Sequence, residues 1–164
     1  MKKIGILSDT HGLLDERIFE HFAQVDEIWH AGDIGSWEVY QRLCAFKPVK
    51  AVYGNCDYGD VRDNLPGYYR FRTEQVEVVL THIGGYPRHY EPAIARRLYA
   101  NPPQLFVCGH SHILKVQYDN SLRMLCLNPG AAGKYGIHTF QTLLRLIIDQ
   151  DSIYNLEVIE LQRL

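Results

Sequence analysis

The chain has 164 residues, 46% hydrophobic and 22% charged, with a formal net charge of −2 and a pI of about 6.4. Those values predict one globular domain over residues 1–164 and give no global electrostatic reason to expect nucleic acid or an anionic membrane as partner. No apolar run is long enough to span a bilayer, and Met1-Lys2-Lys3 is followed within nine residues by Gly5, Ser8 and Asp9, which is no signal peptide. Cys44, Cys56, Cys108 and Cys126 are scattered and form no CxxC pair. A reducing, cytoplasmic setting without disulfides is expected.

Lys3 to Ser8 opens the chain as a central strand would, and Asp9-Thr10-His11-Gly12 ends it as a loop. Leu13 to Phe22 has helical spacing. Asp26 to His30 is a second short strand, broken by Ala31-Gly32-Asp33. Ser36 is a good N-cap for a helix over Trp37 to Ala45. Pro48 to Tyr53 is a third strand, ended by Gly54-Asn55-Cys56-Asp57. This βαβαβ order is the signature of a parallel sheet. Tyr58 to Pro66 reads as a polar loop. Gly67 to Thr73 and Gln75 to Thr81 read as a hairpin, and His82 to Pro87 as a loop. Glu91 to Tyr99 is a helix with an exposed Arg96-Arg97, more in keeping with a solvated face than a phosphate clamp. Leu105 to Cys108 is a buried strand running into Gly109-His110-Ser111-His112. Ile113 to Tyr118 and Ser121 to Leu127 pair across a two-residue turn, Asp119-Asn120. Asn128 to Ala131 is a sharp turn, and Thr139 to Asp149 pairs with Ser152 to Leu161 across Gln150-Asp151. The mix of parallel and hairpin signals predicts an α/β fold with two packed sheets and helices outside.

Ligands in open α/β sheets bind at the carboxyl ends of strands. Asp9, His11, Asp33, Asn55, His82, His110 and His112 all stand there. Any one of these histidines could be a satisfied loop residue, and either aspartate a helix cap. Seven such coincidences are much less probable than one site. Four imidazoles, two carboxylates and an amide carbonyl are too many donors for one four-coordinate ion, and no thiolate marks a closed zinc site. They suit two divalent ions with Asp33 as bridge, because Gly32 and Gly35 let its backbone come close. On extended backbone His110 and His112 point the same way, as do Asp9 and His11. Two such ions, roughly 3.5–4 Å apart, would hold a bridging hydroxide for in-line attack on a phosphoryl group. The net charge of the ions and carboxylates would be about +2. Asn55 could also donate its NH₂ to a phosphoryl oxygen. His89 is a candidate substrate contact. His30 reads as a core histidine, His21 as a surface one and His138 as a loop residue.

Asp9-x-His11, Gly32-Asp33, Gly54-Asn55, His82 and Gly109-His110-x-His112 resemble, in order, the signature blocks of the calcineurin-like metallophosphoesterases. The short length and Gly54-Asn55-Cys56-Asp57 are most similar to the bacterial and archaeal phosphodiesterase branch. The resemblance implies a four-layer αββα sandwich and a dinuclear centre. One metal would take Asp9, His11, Asp33 and His112, the other Asp33, Asn55, His82 and His110. Manganese is the first expectation, with iron, zinc and nickel also met in the family. The implied activity is hydrolysis of a small soluble phosphodiester, the alternatives being a phosphomonoesterase or a protein-binding scaffold like the retromer subunit of this fold. Asp33, Asn55 and Cys56 would carry catalysis. Larger members of the family have histidine after the asparagine, to assist the leaving group; here Cys56 stands in its place. A thiol there should protonate poor leaving groups badly.

Overall fold

The computed structural model describes residues 1–164. Twelve strands and four helices follow in the order β1 (Lys2–Leu7), α1 (Arg17–His21), β2 (Glu27–His30), α2 (Trp37–Phe46), β3 (Val49–Ala51), α3 (Gly59–Asn64), β4 (Tyr68–Thr73), β5 (Val76–Thr81), β6 (Gly85–Tyr86), β7 (His89–Tyr90), α4 (Pro92–Ala100), β8 (Leu105–Val107), β9 (Leu114–Asp119), β10 (Met124–Pro129), β11 (Phe140–Asp149) and β12 (Ser152–Gln162).

The strands form two five-stranded sheets, β12-β11-β1-β2-β3 and β4-β5-β8-β10-β9, with β6 and β7 as a small separate ribbon. Alternation decides which side chains meet between them. Ile4, Ile6 and Trp29 of the first sheet pack on Val78, Leu80 and Val107 of the second, in an apolar layer without water access. The opposite face of the first sheet, through Leu7, Ile28 and Leu143, takes Ile18 of α1, Val39 and Leu43 of α2, and Val61 of α3. The outer face of the second, through Val79, Phe106 and Met124, takes Leu98 of α4. The architecture is therefore the expected four layers, helices outside two packed sheets. No helix is long and apolar enough to cross a membrane.

β1, β2 and β3 run parallel, and so do β5, β8 and β10. Each parallel set brings its carboxyl ends to one edge, which is where the candidate ligands emerge. Two helices are capped by side chains: Ser36 Oγ accepts from Val39 N at 3.3 Å at the start of α2, as expected, and the Glu91 carboxylate accepts from Ala93 and Ile94 N at the start of α4.

Several sequence expectations need correction. Gly59–Asn64 is a helix, not a loop; it buries only Val61, too little for a visible apolar period. The first helix begins at Arg17 rather than Leu13, because Asp15 turns the chain and accepts from Arg17 N at 3.0 Å. The β9–β10 connection is Asn120–Arg123 rather than Asp119-Asn120: Asp119 pairs with Met124, and its carboxylate ties the turn through Ser121 and Leu122 N. The last hairpin turns at Gln150-Asp151, as read.

Candidate metal centre

The loops after the strands are sewn together by their backbones. Asp9 N donates to Gly32 O and His11 N to Asp33 O, joining the loops after β1 and β2. Gly109 N donates to His82 O, joining those after β8 and β5, and Gly133 N donates to Asp9 O. Ligand types from both sheets therefore face one another across the edge of the sandwich.

Three groups of side chains converge there: Asp9, His11 and His112; His11, Asp33 and Cys56; and Asp33, His82 and His110. Their donor atoms lie within 4.8 Å of one another in each group. His112 Nε2 is 3.2 Å from Asp9 Oδ1, and His11 Nε2 is 3.7 Å from both Asp9 Oδ1 and Asp33 Oδ2. His82 Nε2 is 3.1 Å from Asp33 Oδ2. His110 packs its ring on His82 with centroids 5.2 Å apart. Asn55 lines the adjoining cleft with His82 and points Nδ2 at Cys56 Sγ. His89 lies in β7, exposed and stacked on Tyr86, and is not among the residues of that cleft.

The backbone at these positions departs from the extended form assumed from sequence. Asp9, His11, Asp33, His110 and His112 all have φ between 48° and 73°; they are five of only ten non-glycine residues with positive φ. Each such residue costs about 1–2 kcal/mol, so the concentration at one edge marks a place where geometry overrides local preference. The alternation rule fails for His110 and His112, which fall into different groups.

Each carboxylate spends one oxygen on the scaffold and turns the other to the imidazoles. Asp9 Oδ2 accepts from Ser8 Oγ at 2.6 Å and His110 N at 3.1 Å, and Asp33 Oδ1 accepts from Cys56 N at 2.8 Å. Asp9 Oδ1 is buried and has no hydrogen-bond partner. His82 Nδ1 donates to Ala31 O at 2.7 Å, which leaves Nε2, also buried and without a hydrogen-bond partner, as the ring's free ligand atom. A ring nitrogen and two carboxylate oxygens facing one another inside a protein need positive charge between them, a proton or a metal cation. The donor set fits a divalent ion.

Electrostatics agree. Burial alone would push the Asp9 carboxyl up, but His11 and His112 outweigh it and hold its pKa far below the ordinary carboxylate range. Asp33 is also lowered, burial being outweighed by His82. The His11 pKa is raised, chiefly by Asp9; that of His82 is raised by Asp33 and Asp9 despite its burial. The pocket of paired carboxylates draws positive charge, and protons compete with cations for it.

Two glycines are required by close approach. A Cβ on Gly54 would lie 2.1 Å from Asp33 Oδ1, and one on Gly109 2.1 Å from Ser8 Oγ. Asp57, not singled out from sequence, is a buried tie between loops: its carboxylate accepts from Ile34, Gly35 and Gly54 N at 2.8–3.1 Å. Its place in Gly54-Asn55-Cys56-Asp57 was the available signal. His30 is a core residue that joins Gly32 N and Thr10 Oγ1, and burial lowers its pKa to about 4. His138 is more than a loop residue: it sets its ring edge-on to His112 and donates through Nε2 to Gly133 O. Tyr135 packs on His11. Neither could be placed from sequence, because the 133–139 loop has no periodic pattern.

The sequence profile of the calcineurin-like phosphoesterase superfamily domain matches residues 1–151. The chain belongs to that superfamily. A relative described as a probable metallophosphoesterase, from Methanothermobacter thermautotrophicus, is 31% identical over 135 residues, 78% of this chain and 76% of the relative. Among solved structures, an archaeal phosphodiesterase is similar over 97% of this chain and 99% of its own, with TM-score 0.78 and 22% identity. Vps29 of Entamoeba histolytica in complex with zinc is similar over 96% and 98%, with TM-score 0.74 and 16% identity. Those two likenesses concern the fold. As a calcineurin-like phosphoesterase the protein is a metal-binding hydrolase by family, and the convergent imidazoles and carboxylates are its candidate metal ligands.

Proposed function

We propose that the protein is a dinuclear, metal-dependent phosphodiesterase of a small soluble diester. The observation that carries this reading is the pair of buried, unpartnered atoms, Asp9 Oδ1 and His82 Nε2, turned into a cluster of imidazoles. Asp9, His11, Asp33 and His112 would hold one cation, and Asp33, Asn55, His82 and His110 the second. When bound, such a pair supplies Lewis acidity, with a water pKa near 7 and neutralised phosphoryl charge. Manganese is the proposed occupant.

The chain's own residues then divide the remaining work. Asp33 is shared between two of the groups and braced by Cys56 N, so it fixes their separation. Asn55 lines the cleft, where its amide can donate to a phosphoryl oxygen. Cys56 is exposed beside His11 and Asp33, and its thiol pKa is raised by partial burial and then by Asp33. Standing where it would face the leaving group, it is proposed as a poor proton donor, so that esters whose leaving group departs unaided are preferred. The free thiols of Cys44 and Cys56 fit a reducing compartment, the cytoplasm.

The test is hydrolysis of bis-p-nitrophenyl phosphate by the chelated and the Mn²⁺-reloaded protein, beside p-nitrophenyl phosphate as monoester. The expected result is diester turnover that disappears on chelation and returns with Mn²⁺. Preference for the monoester would make it a phosphomonoesterase. Folded protein inert with every divalent metal would favour a scaffold, the second reading, which the fold shared with Vps29 motivates.

A further inference from the structure

A cleft of about 650 Å³ opens beside Asn55 and His82. Ligand pockets span roughly 300–1,000 Å³, so this one has room for far more than a phosphodiester group. Two arginines overlook it from different helices, Arg62 of α3 and Arg97 of α4. The Arg62 guanidinium lies 4.5 Å from the centroid of the Tyr53 ring, and that of Arg97 lies 4.3 Å from Tyr68. Stacking steadies a guanidinium but uses its face, leaving the N–H donors at its edge free for a planar or tetrahedral oxyanion.

These two differ from the structural arginines of the molecule. Arg17, Arg42, Arg70, Arg72 and Arg145 each end on a carboxylate. Arg62 and Arg97 end on tyrosine faces. The one acid lining the cleft, Glu91, has its carboxylate engaged by Ala93 and Ile94 N at the start of α4. Two cations thus face a shared space against one carboxylate that is already occupied. The solvated-face reading of Arg97 holds for its neighbour Arg96, which does not line the cleft.

We propose that this cleft binds a second phosphate of the substrate. The diester cleaved at the imidazole cluster would carry a terminal phosphate on one ester arm. Arg62 and Arg97 would hold that phosphate by charge-assisted hydrogen bonds, with the arm along Ile83 and Ile94. The inference rests on the phosphodiesterase reading and adds the substrate class to it, a small diester with a second, dianionic phosphate.

The test uses the Mn²⁺-loaded full chain and two esters that differ by one phosphate. They are thymidine 5′-(p-nitrophenyl phosphate) and the same compound phosphorylated at its 3′ oxygen. The ratio of their kcat/KM values is the readout. The wild type should favour the 3′-phosphorylated ester about tenfold or more, mainly through KM. In Arg62→Gln/Arg97→Gln the ratio should fall towards one, and thymidine 3′,5′-bisphosphate should lose its advantage over thymidine 5′-phosphate as an inhibitor. Arg96→Gln should keep the wild-type ratio. A ratio near one in the wild type, with both esters hydrolysed, overturns the second-phosphate site and leaves the phosphodiesterase standing. Failure to hydrolyse either ester overturns the phosphodiesterase and the inference with it. A p-nitrophenyl ester on a tetrathymidylate, turned over much faster than the 3′-phosphorylated mononucleotide, would overturn the small-molecule class in favour of a nucleic-acid chain.

Discussion

Gly54→Ala tests whether the metal centre depends on backbone contact between two loops. Gly54 has no positive φ, so alanine brings no conformational penalty there; the cost is steric. Its Cβ would lie 2.4 Å from Asp33 N, 2.1 Å from Asp33 Oδ1 and 2.7 Å from Cγ. The backbone nitrogen cannot rotate away. Restoring ordinary contact at 3.4 Å requires the loops to part by about 1 Å. The Cys56 N to Asp33 Oδ1 bond, now 2.8 Å, would then pass beyond hydrogen-bonding reach. Overpacking and loss of a charge-assisted bond together cost about 3–5 kcal/mol. At this chain length that is a fall in Tm of roughly 10 °C. Scanning calorimetry should be done on chelated protein, so that metal loss does not add to the shift. Gly59→Ala is the control: its φ is +60° and nothing lies within 4 Å, so it should cost only about 1 kcal/mol. Equal melting points for the two variants, or a Gly54→Ala shift no larger than about 3 °C, would refute the close-approach argument.

Asp33→Asn should lower occupancy of both proposed ions and nearly abolish diester turnover; near-normal metal content by mass spectrometry would contradict the bridging role. Rates should fall steeply as the leaving-group pKa rises, and Cys56→His should flatten that dependence; a flat dependence that the substitution leaves unchanged would remove Cys56 from proton transfer. The Asp15 carboxyl is held down to about 2, first by the hydrogen bonds of Arg17, Nη2 lying 2.7 Å from Oδ2. A depressed folded-state pKa adds stability that is complete above the unfolded value near 4 and is lost as pH falls towards 2. Arg17→Met should therefore show less loss of Tm than the wild type between pH 4 and 2 in chelated samples; parallel curves would refute the pairing.

What was legible in the sequence was local. Apolar runs of strand length located β1, β2, β5 and β8 because a buried strand must be apolar on both faces. The ligand types stood immediately after them, so strand ends and chemistry could be read together. Ser36 marked the start of α2 because a cap acts within three residues of itself. α3 was invisible because its single buried residue, Val61, makes no period. The alternation argument for His110 and His112 failed because their φ values of 73° and 63° belong to a turn. That turn is held by contacts such as His110 N to Asp9 Oδ2, 101 residues away in the chain.

The sequence by itself determined the inventory: which residues could hold a cation, and that they follow strands. Only the tertiary structure decided how they group, with Asp33 meeting both His11 and His82, Cys56 drawn beside them, and Asp57 tying the loops. It alone brought Arg62 and Arg97 to one cleft, since they lie on separate helices packed against different sheets. The physical reason is range. Propensity, capping and turn chemistry act over a few residues, whereas the site is made of contacts between loops that only the packing of two parallel sheet edges brings together.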